Sequence, residues 1–230
     1  MRVLITGTSR GLGLVLAQHF AEHGHQVIGC ARSPAALTHP CYEHLLGDVT
    51  EESDVARIVD HTRTAYGGLD ALINNAGWGR MIPVALTPAE TVRRILDTNF
   101  LSTFLFTRAA LRLLRRSKAG RIVNLSTVAV PYRLDGEAVY AAAKSAVETF
   151  TRVTAKEVGV WGITCNAVGP SPIRTALIAG VPEHTLEALV GRQSIRTWAE
   201  PGDVVNVIDF YLRPESRLVT GQVVYLGGAG

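Results

Sequence analysis

The sequence predicts an α/β fold in which a parallel sheet carries helices on both faces. Short apolar runs alternate with longer amphipathic ones along the whole chain, the signature of repeated strand–helix units. The first apolar run, Arg2 to Thr6, leads at once into a glycine-rich turn that opens an apolar helix. With 230 residues, 47% of them hydrophobic, the chain fits one domain over residues 1–230 with a large core.

The elements follow in order. After the first strand comes Thr6-Gly7-Thr8-Ser9-Arg10-Gly11-Leu12-Gly13, then a helix through about His23 that Gly24 ends. Such a turn before a helix N-terminus is an anion site, because bare N–H groups and the helix dipole face one point. Gly7 permits the tight turn, and Gly11 and Gly13 are expected to let backbone approach a pyrophosphate. Gln26 to Ala31 is the second strand. Dinucleotide folds that prefer NAD place an acid here for the ribose 2′-OH. This chain has Arg32 and Ser33 instead, with Arg10 inside the turn. Two guanidinium groups suit a 2′-phosphate, so NADP(H) is expected, with NAD(H) as the second choice.

His44 to Gly47 is read as the third strand, ending in Asp48-Val49. Thr50 is expected to cap the next helix, which Gly67-Gly68 breaks near Tyr66. The fourth strand begins at Asp70 and leads into Asn74-Asn75-Ala76-Gly77. Thr87-Pro88-Ala89-Glu90 reads as a capping box before a long helical region through Asn99 to about Arg116. A fifth strand, Gly120 to Ser126, precedes a helix from about Tyr140 to Val158. A sixth strand covers Ile163 to Val168, and a helical stretch about Pro182 to Val190. A last helix spans Asp203 to Leu212 and a last strand Gln222 to Leu226.

The chemistry centres on Tyr140-Ala141-Ala142-Ala143-Lys144. The alanines favour helix, and residues i and i+4 share a face, so phenol and ammonium project side by side. A nearby positive charge is expected to lower the Tyr140 pKa and make it a proton donor and acceptor for a substrate oxygen. Taken alone, the pair more often belongs to an ordinary solvent-facing helix, so the other motifs decide.

Composition excludes several classes. The net charge of +3, from 23 basic and 20 acidic residues, gives no argument for nucleic acid. No apolar run approaches a membrane span, and, with a strand entered at once, no signal peptide is expected. The widely spaced Cys30, Cys41 and Cys165 suggest neither zinc nor a disulfide framework and fit a reducing, cytoplasmic setting. His19, His23 and His25 lack a third ligand at motif spacing and read as solvated, so no metal is expected.

Together, Thr6-Gly7 with Gly11 and Gly13, Asp48, Asn74 to Gly77, Asn99, the Asn124-to-Thr127 strand end, Tyr140 with Lys144, and Pro170 with Thr175 resemble the short-chain dehydrogenase/reductase family over essentially the whole chain. The resemblance implies a Rossmann-like, doubly wound sheet of seven parallel strands. It implies a dinucleotide bound by Gly7, Thr8, Ser9, Arg10, Gly11, Leu12, Gly13, Arg32, Asp48 and Val49. Asn75, Ala76, Gly77, Tyr140, Lys144, Pro170, Ile173 and Thr175 complete that set. Catalysis would fall to Asn99, Thr127, Tyr140 and Lys144, with Asn99 interrupting its helix and holding a water in a proton relay.

Two positions depart from the family pattern. Thr127 stands 13 residues before Tyr140 where Ser is usual. It keeps the hydroxyl, while Ser126 should point to the other face. Ser171 follows Pro170 where Gly is usual, and is strained there if that position needs φ > 0. The expected activity is reversible NADPH-dependent reduction of a small-molecule carbonyl to a secondary alcohol. The alternatives are a 3-oxoacyl-carrier-protein reductase, with Arg80 or Arg174 meeting an acidic carrier, and a catalytically silent NADP(H) sensor. The family habit implies a homo-oligomer, tetramer or dimer, through helices bearing Phe104, Phe106, Val147 and Phe150. Trp78, Met81, Val130, Tyr132, Leu177, Ile178 and Leu186 fit either an apolar pocket or ordinary core packing.

Overall fold

The computed structural model describes residues 1–175 and 177–228. Its strands are β1 (Arg2–Thr6), β2 (Gln26–Ala31), β3 (Tyr42–Leu46), β4 (Ala71–Asn74), β5 (Arg121–Leu125), β6 (Thr164–Gly169) and β7 (Val223–Tyr225). They form one parallel sheet in the order β3-β2-β1-β4-β5-β6-β7. The helices are α1 (Gly11–Glu22), α2 (Glu52–Tyr66), α3 (Ala89–Leu96), α4 (Ser102–Leu114), α5 (Ala129–Tyr132), α6 (Ala138–Val158), α7 (Glu183–Gly191) and α8 (Pro201–Leu212).

Strand alternation divides the core in two. Val3 and Ile5 of β1 pack with Leu16 and Phe20 of α1 and with Val204, Ile208 and Tyr211 of α8. Leu4, between them, faces Ile58 of α2, Leu105 and Phe106 of α4, and Val158 of α6. Helices therefore cover both faces, as βαβ connections require. The chain runs β3-β2-β1 to one side and β4 to β7 to the other, so a crevice opens between the carboxyl ends of β1 and β4.

Local capping differs from the sequence reading at several places. Thr50 does not cap α2: its hydroxyl donates to Asp48 Oδ1 at 2.8 Å, and Glu51 is the residue before the helix. No capping box forms at Thr87, whose hydroxyl donates to the Pro83 carbonyl at 2.9 Å. Both hydroxyls find nearer backbone or side-chain acceptors in their own turns. A box forms instead at α8, where Asp203 accepts the Glu200 N–H at 2.8 Å, so the helix starts before Asp203. Gly67 ends α2 with φ 74°, as its sequence position suggests. His19 is tied to α8 rather than solvated, with Nε2 2.9 Å from Asp209.

Candidate active site

The crevice is a cleft of about 1380 Å³ lined from the β1 turn, through the ends of β4 and β5, to α6 and α7. Two strand ends are laced together at its floor. The Thr6 hydroxyl accepts the N–H groups of Asn75 and Ala76 at 3.0 and 2.9 Å, and Asn75 Nδ2 donates to the Thr6 carbonyl at 2.8 Å.

Of the residues expected to hold a dinucleotide, all but Thr8 line this cleft. Thr8 is fully buried, with its hydroxyl turned away to the Tyr42 phenol and His44 Nδ1. The glycines divide the work differently from expectation. A Cβ on Gly13 would stand 2.2 Å from the Gly7 carbonyl oxygen and 2.4 Å from Asn75 Nδ2, so Gly13 serves the packing of α1 against the strand ends. Gly11 has φ +60°, and a Cβ there would touch only Thr175 Cβ at 3.9 Å, so it is the position where a ligand can approach. Arg10 precedes α1 without making a side-chain cap, which leaves the first-turn N–H groups free for an anion. An open Gly11 face at an uncapped helix N-terminus fits a dinucleotide pyrophosphate. Arg10, Arg32 and Ser33 line the adjacent wall, and Arg32 Nη1 lies 3.8 Å from Asp48 Oδ2.

On the other side, the ends of β5 and α6 bring Thr127, Tyr140 and Lys144 together. Lys144 is buried and Nζ donates to the Leu125 carbonyl at 2.7 Å. Burial lowers its pKa to about 8, so the ammonium persists at neutral pH. The Tyr140 phenol behaves contrary to the sequence expectation. Burial pushes its pKa up, the nearby Glu137 charge adds to this, and the Thr127 hydroxyl opposes it through a hydrogen bond. Lys144 Nζ lies 6.0 Å from the centre of the Tyr140 ring and does not reverse the shift. Ser126 does face away, donating to the buried Glu148 carboxylate at 2.5 Å.

Asn99 lies in a π-helical turn, Asp97–Leu101, between α3 and α4. It is fully buried behind the cleft wall. Nδ2 donates to the Trp78 carbonyl at 2.6 Å and the Ile95 carbonyl at 2.8 Å, and its own carbonyl accepts the Thr103 hydroxyl. Asn99 thus ties the segment after β4 to the interrupted helix. A Cβ on Gly77 would be 3.0 Å from Asn99 Oδ1 and 3.6 Å from Lys144 Nζ, which places all three in one packed corner.

Ser171 does not have positive φ, so no strain arises there. It is buried, and its hydroxyl meets Gln193 and the Leu226 carbonyl at 2.9 and 3.0 Å. Trp78, Met81, Leu177, Ile178 and Leu186 line the cleft; Val130 and Tyr132 do not, and Tyr132 stacks under Arg192. Sequence reasoning missed Glu137, which lines the cleft three residues before Tyr140. Its helical spacing from Tyr140 was the available signal.

Crevice, glycine turn and strand order define a dinucleotide-binding, doubly wound α/β protein. The family model described as enoyl-(acyl carrier protein) reductase matches residues 7–228. The 3-oxoacyl-(acyl-carrier-protein) reductase of Vibrio cholerae is 31% identical over 98% of this chain and 95% of its own length. That of Escherichia coli is 29% identical with the same coverage. Among solved structures, levodione reductase superposes with a TM-score of 0.91 at 26% identity, covering 99% of this chain and 96% of that one. Aldohexose dehydrogenase of Thermoplasma acidophilum gives 0.90 at 26%, covering 99% and 92%. This chain belongs to the short-chain dehydrogenase/reductase family. It is accordingly an oxidoreductase acting between CH–OH and C=O groups with a nicotinamide cofactor. No helix among the described residues is long and apolar enough to cross a membrane.

Proposed function

We propose that the protein is an NADPH-dependent carbonyl reductase, reversible as an alcohol dehydrogenase, with Tyr140 as proton donor. The observation that carries this reading is the meeting of Thr127, Tyr140 and Lys144 in the same cleft as the open Gly11 face. The nicotinamide, when bound, supplies the hydride to the carbonyl carbon. Tyr140 gives its phenolic proton to the carbonyl oxygen, and the Thr127 hydroxyl orients that oxygen by a second hydrogen bond. A phenol whose pKa is pushed up is neutral at physiological pH and so suited to give a proton. Lys144, charged and fixed on the Leu125 carbonyl, is suited to hold a ribose hydroxyl and to stabilise the phenolate left after proton transfer. Asn99 acts as a positioning residue for the Gly77–Trp78 segment.

Preference for NADPH is supported by Arg10, Arg32 and Ser33 on the wall beyond β2 and by the lack of an acid at that strand's end. Initial rates with NADPH and NADH over a panel of ketones, keto esters and acyl thioesters test the reading. Faster turnover with NADPH supports it, and equal or better kcat/KM with NADH overturns the cofactor assignment.

The second reading, reduction of a 3-oxoacyl thioester on a carrier protein, is favoured by the activity named for the bacterial relatives. Arg174 is poorly placed to serve an acidic carrier, since it pairs with Glu183 at 2.6 Å and stacks on Trp198; Arg80 remains exposed at the cleft. Strong preference for the carrier-bound thioester over simple ketones would select this reading.

A further inference from the structure

Glu137 stands directly before α6 and one turn ahead of Tyr140, and both line the cleft. Residues three apart on a helix share a face, with Cβ atoms about 5–6 Å apart. Glu137 Oε2 is buried and has no hydrogen-bond partner among the described residues. Its side chain makes no cap bond to α6. Burial pushes its carboxyl up to about 7. A half-buried acid with one carboxyl oxygen left unpaired beside the proton donor weakens the fold and raises the Tyr140 pKa, two costs that a ligand of opposite charge would offset.

We propose that Glu137 determines specificity by pairing with a protonated amine, so that the substrate is an amino ketone, or the matching amino alcohol, with nitrogen a few ångströms from the reacting carbon. This rests on the carbonyl-reductase reading above. Trp78 and Leu186 would receive the hydrocarbon part. Pairing across the cleft would hold the carbonyl at Tyr140 and give the half-buried carboxylate a partner.

The test uses two probes: a methyl ketone with a dimethylamino group three methylenes from the carbonyl, and its isopropyl isostere. Binding of each to protein saturated with NADP⁺, where no reduction can occur, is measured by calorimetry at about pH 8. The native protein should bind the amine at least about tenfold more tightly. Glu137→Gln should bring the ratio close to one. Native protein at about pH 5.5 should lose most of the preference without any substitution, because the carboxyl protonates while the amine stays charged. The other ionisable side chains lining the cleft away from the β2 wall are Arg80, Glu90, Arg93, Arg94, Asp97, Asp135, Tyr140, Lys144 and Arg192, with Arg94 stacked on Trp78 and Lys144 beside Tyr140.

Equal binding of the two probes by native protein, or a preference that survives either Glu137→Gln or pH 5.5, overturns the proposal. Turnover with NADPH separates this from the parent reading. Reduction of both ketones with equal kcat/KM rejects Glu137 as the selector and keeps the reductase. Amine-selective binding with no reduction of either ketone keeps Glu137 and rejects the reductase.

Discussion

Thr127 and Ser126 are neighbours with opposite surroundings, one in the cleft and one bonded to buried Glu148. Thr127→Val keeps shape and removes the donor, so kcat should fall about a hundredfold, the usual cost of losing one donor at a developing oxyanion. Thr127→Ser should retain activity and admit bulkier ketones. Ser126→Ala should leave kcat nearly unchanged but lower stability by about 1–2 kcal/mol in urea denaturation, since Glu148 loses a buried hydrogen bond. This alternation was legible in the sequence, because strand geometry alone dictates it. The Tyr140 pKa was not: spacing predicts that Lys144 is near, but not that burial and Glu137 outweigh it. Glu137 itself has a pH consequence. Its pKa is raised in the fold to about 7 from the ordinary 4.5, so the native state binds more protons between these values. Stability should therefore fall as pH rises through that window. Glu137→Gln should raise the Tm more at pH 8 than at pH 5, the extra stabilisation corresponding to roughly 1–3 kcal/mol after allowance for solvent screening. An equal Tm change at both pH values would contradict this.

At the scale of elements, the π-turn at Asp97–Leu101 is where regular helix yields to the site. The resemblance located the interruption at Asn99, but its bonding partners come from tertiary contact with the Trp78 segment. Asn99→Ala would strip donors from the Ile95 and Trp78 carbonyls and should destabilise the protein by about 1–3 kcal/mol, read from the urea midpoint, with loss of activity as the Gly77 segment loosens. An unchanged midpoint would remove Asn99 from its positioning role. Strand and helix centres were legible from apolar periodicity, and Gly67 from its need for a left-handed residue. The ends were less so. At Thr50 and Thr87 a hydroxyl has several local acceptors, and which one it takes depends on how the following turn closes. Gly13 illustrates the same limit, since its missing side chain answers to the Gly7 carbonyl and Asn75 rather than to a ligand.

For the whole molecule, βα alternation predicts a parallel sheet, but strand order and the crevice between β1 and β4 follow from crossings that local sequence does not encode. Assembly divides the expected helix residues. Phe106 and Val147 are fully buried in the core, whereas Phe104 and Phe150 are half-buried and meet edge-on with ring centres 6.1 Å apart. Val153 beside them is half exposed. A homo-oligomer through this α4–α6 face is expected, and Phe150→Glu should turn it into monomer by light scattering. The cofactor wall predicts that Arg32→Asp reverses a preference for NADPH over NADH. The central claim is that Tyr140 delivers the proton in NADPH-dependent carbonyl reduction, and the most direct measurement is single-turnover NADPH oxidation by native protein and by Tyr140→Phe with a reducible ketone. The account predicts substrate-dependent oxidation that falls about a thousandfold in the variant. A Tyr140→Phe protein that reduces the ketone at the native rate would contradict it.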